Sequence, residues 1–306
     1  FAYAKFVFRL GGAERALEYL RQLVVLDPKH EGGAIFYARL LQQQGNLVGA
    51  LTFLSGAVDV NQESKSLRTA YARLLVDAKR FEEARSQFAE LVLHSPEDQH
   101  IRYSLGLLLL ETNRPKEAEP HFEFLSLNSD WSELAQYYLG QIAEVEQRFD
   151  DAIRYYLKVD HGEHFFNAQI RVAVIFAQQG RLEEARAHLH QLPRQSITHT
   201  VRVYRVEAEL LRRAGDLSGA MDVYNQALGE YSENSDLLYA RAMLAEKMDR
   251  LDILERDLRT ILSREPDNAS ALNALGFTLA DRTERYLEAL EFIQRAIKLQ
   301  PDDFYI

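Results

Sequence analysis

The side chains best suited to chemistry in this chain are its histidines, nine in 306 residues. Five lie close together in the sequence: His161, His164, His188, His190 and His199. His188 and His190 are two residues apart on a predicted helix, so they point to different sides and cannot share a metal ion. His161 and His164 flank a glycine and could approach each other. The chain has no cysteine and no third ligand nearby, which favours solvent-exposed loop histidines over a metal site.

Other catalytic arrangements are missing from the sequence. It has no G-x-S-x-G, G-x-x-x-x-G-K-S/T or H-E-x-x-H string. Carboxylate pairs such as Glu82-Glu83 and Glu183-Glu184 open predicted helices, where they favourably meet the helix dipole. The sequence therefore predicts a protein that is not an enzyme and has no metal or cofactor. One alternative, a metal hydrolase using His161 and His164, stays open.

The composition is that of a soluble chain with a hydrophobic core. Hydrophobic residues make up 47% and charged residues 27%, which excludes a disordered or membrane-spanning chain. The net charge is −10 and no long run of lysine or arginine occurs, so nucleic acid is not expected as a partner. With 15 glycines and 7 prolines, the chain has few turn residues for an all-β protein.

A short pattern of two charged residues, an alanine and a large apolar residue recurs every 33 to 35 residues. An apolar side chain follows the alanine after four residues and another after seven, which is the spacing of one helix face. The nine positions of this alanine slot are Ala16, Ala50, Ala84, Ala118, Ala152, Ala185, Ala220, Leu254 and Ala289.

A second slot, twelve or thirteen residues earlier, always holds alanine or glycine. Such a small residue lets two helix backbones approach closely, and turn signals such as Gly45-Asn46 lie between the two slots. Each unit is therefore predicted to be a pair of antiparallel helices. The nine residues of this small slot are Ala4, Ala38, Ala72, Gly106, Gly140, Ala173, Ala208, Ala242 and Gly276.

These two slots resemble those of the tetratricopeptide repeat family. The resemblance implies an all-α, right-handed superhelical solenoid of about nine helix pairs, formed by residues 1–306 as one domain. The first repeat is incomplete, and Phe304-Tyr305-Ile306 would begin a tenth. Because neither end shows a polar capping helix, we expect the chain to belong to a longer array.

The first helix of each pair should line a concave groove, which can be read from the residues around the small slot. Its central part is a run of apolar and aromatic residues, typical of a protein or peptide interface. The alternative is that the curvature of the superhelix buries this run. The predicted groove residues are Arg39, Arg73, Tyr103, Leu107, Leu110, Tyr137, Gln141, Ile170, Val174, Arg205, Arg212, Tyr239, Met243 and Phe277.

Four arginines form a basic spot near this groove: Arg202, Arg205, Arg212 and Arg213. They could bind a carboxylate or an acidic partner, because guanidinium groups match carboxylates in charge and shape. A solvated helix face would explain them equally well.

The C-terminal quarter carries a closer resemblance. The strings LLYARAMLAEK and REPDNASALNALGFTLADRT, within residues 232–306, resemble a family of proteobacterial tetratricopeptide outer-membrane lipoproteins. The stretch LRTAYARLLVDAKRFEEARSQFAELV, residues 67–92, is similar to an earlier repeat of that family. The family offers no short binding motif to transfer, so the groove residues rest on the repeat pattern alone.

That resemblance implies a location and a partner. Such lipoproteins face the periplasm and are anchored to the outer membrane through an N-terminal cysteine, which this chain does not contain. One member binds a carboxyl-terminal processing serine protease and promotes degradation of peptidoglycan cross-link hydrolases. The resemblance thus implies an adaptor that brings this protease and these hydrolases together. The alternative is a scaffold for another envelope complex, such as a pilus, secretion or lipopolysaccharide-export machine.

Overall fold

The computed structural model describes residues 1–194 and 196–301, and within them it contains eighteen α-helices and no strand. The chain divides into two compact units, Phe1–Gly162 and Glu163–Ile306. The helices of the first unit are α1 (Ala2–Arg9), α2 (Ala13–Leu26), α3 (Glu31–Gln43), α4 (Leu47–Val60), α5 (Lys65–Asp77), α6 (Phe81–His94), α7 (Gln99–Glu111), α8 (Pro115–Ser126), α9 (Ser129–Val145) and α10 (Phe149–Tyr156). Those of the second unit are α11 (Phe165–Gln178), α12 (Leu182–Gln191), α13 (Ile197–Arg213), α14 (Leu217–Glu230), α15 (Ser235–Lys247), α16 (Leu251–Arg264), α17 (Ala269–Arg282) and α18 (Tyr286–Leu299).

Within each unit, consecutive helices form pairs, and each pair packs on the next. The odd-numbered helix of a pair is its first helix, and the even-numbered helix is its second. First helices also contact one another directly, as α3 contacts α5 and α13 contacts α15. This arrangement confirms the predicted all-α solenoid of helix pairs. The single domain over residues 1–306 stays a prediction, and the start of a tenth repeat lies outside the described residues.

The alanine slot and the small slot are the points where the two helices of a pair contact each other. Ala16, Ala50 and Ala84 are completely buried. The glycines of the other slot lie under large side chains of the second helix. A Cβ atom added to Gly140 would stand 2.6 Å from the Tyr156 ring, and one added to Gly106 would stand 2.9 Å from the Phe122 ring. Real Cβ atoms do not approach so closely, so these rings occupy the space that a side chain would need.

The chain reverses direction between the two helices of each pair at a residue five positions before the alanine slot. In eight of the nine pairs this residue has a positive φ angle, for example 80° at Gly45 and 58° at Lys79. The Asn46 N–H donates to the Leu41 carbonyl, and the Gly45 N–H donates to the Gln42 carbonyl. This is the Schellman motif, which pairs backbone groups left over at a helix end.

First helices begin with polar caps. The side chains of Ser64, Asp98 and Asn268 each accept a hydrogen bond from the N–H group three residues later, which satisfies a donor that has no partner inside the helix. In α9, Asn128 is the cap, and its side chain accepts a hydrogen bond from the Asp130 N–H. As a result α9 starts early and reaches 17 residues, with Trp131 inside its first turn.

Arginines at the start of second helices join neighbouring repeats. Arg114 Nη2 lies 2.9 Å from Glu82 Oε1 of the preceding second helix. Arg148 Nη2 lies 2.6 Å from Glu119 Oε1 in the same relation. Both ion pairs are partly solvated, and each contributes little to the stability of the fold on its own. No helix within the described residues is both long enough and apolar enough to cross a membrane.

The glycine contacts lead to a matched pair of substitutions. Gly140→Ala should lower the free energy of unfolding by about 1–3 kcal/mol, because the added methyl group must displace the Tyr156 ring. Gly56→Ala, also within a helix but with no atom within 4 Å of the added Cβ, should raise it by about 0.5–1 kcal/mol. Urea unfolding followed by circular dichroism measures both. Equal effects of the two substitutions would show that helix propensity, and not the close approach of the helices, decides which residue the small slot accepts.

Candidate protein-binding site

In the first unit, the predicted groove residues are divided between solvent and core. Arg39 and Arg73 are exposed. Tyr103, Leu107 and Leu110 are half-buried and pack against the hydrophobic core of this unit. The apolar run of the first unit is therefore largely a packing surface.

Aromatic contacts explain why Tyr103 is covered. Its ring centroid lies 5.3 Å from that of Trp131 and 6.1 Å from that of Tyr138. Trp131 reaches this position because α9 begins one turn early. Tyr137 and Gln141, which continue the predicted stripe along α9, are also half-buried, and the Tyr137 ring lies 6.0 Å from the Tyr156 ring.

In the second unit, the first helices line three connected hollows, which we call the trough. Their volumes are about 640, 690 and 450 Å³, each within the range of known ligand pockets. The largest two share Arg205, Glu209, Tyr224, Asp236 and Ala240. Five predicted groove residues line the trough: Val174, Arg205, Arg212, Tyr239 and Met243.

Two predicted groove residues of the second unit differ from this pattern. Ile170 is only 5% exposed and belongs to a core cluster with Phe166 and Leu189. Its prediction as a groove residue is therefore corrected, because a partner cannot reach a side chain that the neighbouring helix covers. Phe277 is 59% exposed on α17 and does not line any of the three hollows.

Arginine–carboxylate contacts organise the middle of the trough. Arg212 donates two hydrogen bonds to Glu209, at 2.6 and 2.7 Å, and Arg213 donates a third at 2.7 Å. These guanidinium groups lower the pKa of Glu209 from 4.5 to about 2, with the hydrogen bond from Arg212 as the largest cause. Burial raises the pKa of both Tyr224 and Tyr239, so their hydroxyl groups stay neutral.

The smallest hollow is an apolar notch at one end of the trough. Val174 and Ala177 of α11, Leu182 of α12 and Leu210 of α13 form its walls. Arg213 stands at its rim with 63% of its side chain exposed. The notch can therefore hold apolar side chains beside a positive charge.

Sequence reasoning missed several trough residues. Tyr224 occupies a core position of the repeat and forms part of the floor of both large hollows. Lys247 is the last residue of α15, and Leu182 is the first of α12, so both lie outside the stripe used for the prediction. Counting charged residues at helix ends would have found Lys247, but no periodic signal marks Leu182.

The histidines considered for catalysis have local partners. His161 Nδ1 lies 2.5 Å from Asp160 Oδ1, and this contact raises the pKa of His161. Burial lowers the pKa of His188. Within the described residues, no group of three or more histidine, aspartate or glutamate side chains is placed to hold a metal ion.

Two tetratricopeptide repeat models match most of the chain, one at residues 8–74 and the other at residues 69–123, 176–235 and 239–304. The chain belongs to the tetratricopeptide repeat family. Members of this family are generally scaffolds for protein–protein interaction without catalytic activity, and no enzyme family was seen among the matches.

Among individual proteins, the chain is similar to TPR repeat-containing protein PA4667 of Pseudomonas aeruginosa, with 42% identity over 163 residues. The match spans 53% of this chain and only 28% of that protein. The C-terminal part of a TPR repeat-containing protein from Cytophaga hutchinsonii has a similar structure, with a TM-score of 0.53, 14% identity and coverage of 90% and 98%. A structure of Naa15/Naa10 bound to HypK-THB gives a TM-score of 0.50 at 16% identity, covering 99% of this chain and 58% of the other. Both structural similarities support the fold alone.

The packing of the first unit predicts the effect of removing its apolar run. Tyr103→Ala combined with Leu107→Ala should lower the free energy of unfolding by about 2–5 kcal/mol, because the contacts with Trp131 and the core are lost. Urea unfolding measures the change, and Arg39→Ala, on an exposed position, is the control. An unchanged unfolding midpoint would show that the run is a free surface.

The ion pairs of Glu209 predict a dependence on pH. Because the pKa of Glu209 is about 2 in the folded chain and 4.5 ordinarily, its carboxylate stabilises the fold above pH 4.5, and this contribution disappears as the pH falls towards 2. Glu209→Gln should therefore lower the urea midpoint at pH 7, with a difference from wild type that narrows between pH 4.5 and 3. Glu63→Gln, in an exposed loop, is the control. A difference that stays constant over this range would contradict the assignment.

Proposed function

We propose that this chain is part of a non-catalytic periplasmic adaptor anchored to the outer membrane as a lipoprotein. The adaptor binds a carboxyl-terminal processing serine protease and presents peptidoglycan cross-link hydrolases to it. The family membership supports a protein-interaction scaffold. The protease, the hydrolases and the location come from the resemblance of residues 67–92 and 232–306 to such lipoproteins.

The trough of the second unit is the observation that carries the binding role. It combines aromatic, Met and arginine side chains, the types that dominate binding energy at protein interfaces. Tyr239, Met243 and Arg205 all line it, and Tyr239 and Met243 also pack against the hydrophobic core of this unit. A partner segment entering the trough meets a surface that is already formed, which reduces the entropy cost of binding.

An adaptor of this kind raises the rate of cleavage without doing chemistry. By holding the protease and its substrate on one molecule, it makes their encounter intramolecular and raises the effective concentration of substrate. It can also favour the active conformation of the protease by binding that form more tightly than the inactive one. Both effects require only binding surfaces.

The proposal predicts that purified protease cleaves a peptidoglycan cross-link hydrolase at least about tenfold more slowly when the adaptor is omitted. Ala240→Leu should remove much of the stimulation, because the larger side chain extends into both large hollows. Cleavage is followed by gel electrophoresis at a fixed concentration of protease.

Ala187→Leu is the matched control, since Ala187 is exposed on α12 and does not line the trough. Melting curves verify that both variants are folded. Cleavage that is independent of adaptor concentration would contradict the proposal. Affinity purification that returns components of another envelope complex, and never a protease, would identify the alternative scaffold.

A further inference from the structure

The trough carries the opposite charge to the rest of the chain. Its two large hollows are lined by three acidic side chains, Glu209, Asp236 and Glu265. They are also lined by six cationic side chains: Arg171, Arg202, Arg205, Arg212, Arg213 and Lys247. The whole chain has a net charge of −10. A cationic surface has therefore been concentrated in one concave region of an acidic protein.

The contacts inside the trough leave positive charge available. Glu209 is a single carboxylate shared between Arg212 and Arg213. Arg205 Nη1 lies 3.7 Å from Asp236 Oδ2, too far for a short hydrogen bond, and both side chains are more than half exposed. Lys247 forms no ion pair with any residue in the described part of the chain. An incoming carboxylate could therefore pair with these groups at little cost.

The trough also has a fixed direction, given by α13. Arg205, Glu209 and Arg213 are spaced by four residues and so follow one face of the helix. Arg205 and Arg213 are therefore about 12 Å apart along the helix axis, at a rise of 1.5 Å per residue. An extended peptide advances about 3.3 Å per residue, so it covers this distance in about four residues. Arg213 marks the apolar notch at one end of this path.

We infer that the trough selects an extended acidic segment with one apolar anchor residue. The anchor side chain enters the notch formed by Val174, Leu182 and Leu210, and a carboxylate about four residues away meets Arg205. Lys247 lines the same hollow as Arg205 and adds positive charge there. This inference rests on the proposed function and adds the chemistry of the segment that is bound.

Charge balance favours a short protein segment over a polyanion. The surrounding chain is acidic, so nucleic acid or an anionic membrane would be repelled over most of its length. A short acidic peptide lies mainly within the trough, and beyond about 10 Å the repulsion from more distant carboxylates is screened by salt. The aliphatic notch adds a contact that neither a phosphate backbone nor a lipid headgroup would use.

Fluorescence anisotropy with three dye-labelled ten-residue peptides tests this inference. The first carries one leucine with aspartates three and four residues away; the second replaces the aspartates with lysine; the third replaces the leucine with serine. The first should bind at least about tenfold more tightly than the second and about tenfold more tightly than the third. Raising the salt from 50 to 200 mM should weaken it.

Charge-reversal variants locate the binding. Arg205→Glu combined with Arg213→Glu should weaken the acidic peptide at least about tenfold and reduce the preference over the lysine peptide. Arg250→Glu combined with Arg264→Glu changes the net charge equally at the two ends of α16, outside the trough, and should have little effect. Ala177→Leu, which fills the notch, should abolish the preference for leucine over serine.

The outcomes separate this inference from the proposed function. Equal binding of the acidic and lysine peptides, or no binding of any peptide while the adaptor still stimulates the protease, would overturn the inference alone. A retained preference for the acidic peptide with no stimulation of the protease would support the inference and overturn the protease role. Binding of phosphatidylglycerol vesicles that the charge-reversal variant abolishes would reassign the trough to a membrane and overturn the inference.

Discussion

The structure depends on the close approach of two helices at one small residue in each repeat. At Gly140 and Gly106 the aromatic ring of the second helix occupies the space of the missing side chain. This contact fixes the distance between the helices of a pair, and the pair is the unit that stacks. First helices can then contact each other, as α13 contacts α15, and present their remaining face to solvent. The trough is a consequence of that spacing.

The small slot was predictable because steric limits at this helix contact admit only alanine or glycine. Positions beside it accept several kinds of contact and are not predictable. The same pair of positions is Tyr37 and Phe53 in the second repeat, with ring centroids 4.8 Å apart. In the eighth repeat it is Arg241 and Asp257, a buried ion pair with hydrogen bonds of 2.7 and 2.8 Å. Either contact fills the space between the helices, so periodicity does not choose between them.

The repeat pattern is also insufficient to predict which residues form the binding site. Tyr103 and Tyr239 occupy identical positions relative to the small slot, and the sequence predicts one role for both. The early start of α9 places Trp131 against Tyr103, whereas Tyr239 lines an open hollow. The difference originates in the neighbouring repeat, at the Asn128 cap. A prediction made slot by slot cannot include it, because exposure in a stacked array is decided by the adjacent repeat.

The turn between the helices of a pair bears on how such a scaffold can change. Four of these turns place a residue other than glycine in the left-handed conformation: Lys79, Asn113, Gln147 and Asp249. Lys79 and Gln147 lack the short polar side chain that eases this conformation, so each holds about 1 kcal/mol of backbone strain. Glycine at these two positions would relieve it without changing a residue that lines the trough. The fold therefore retains a reserve of stability that evolution or protein engineering could draw on to tolerate new, destabilising side chains on the binding surface.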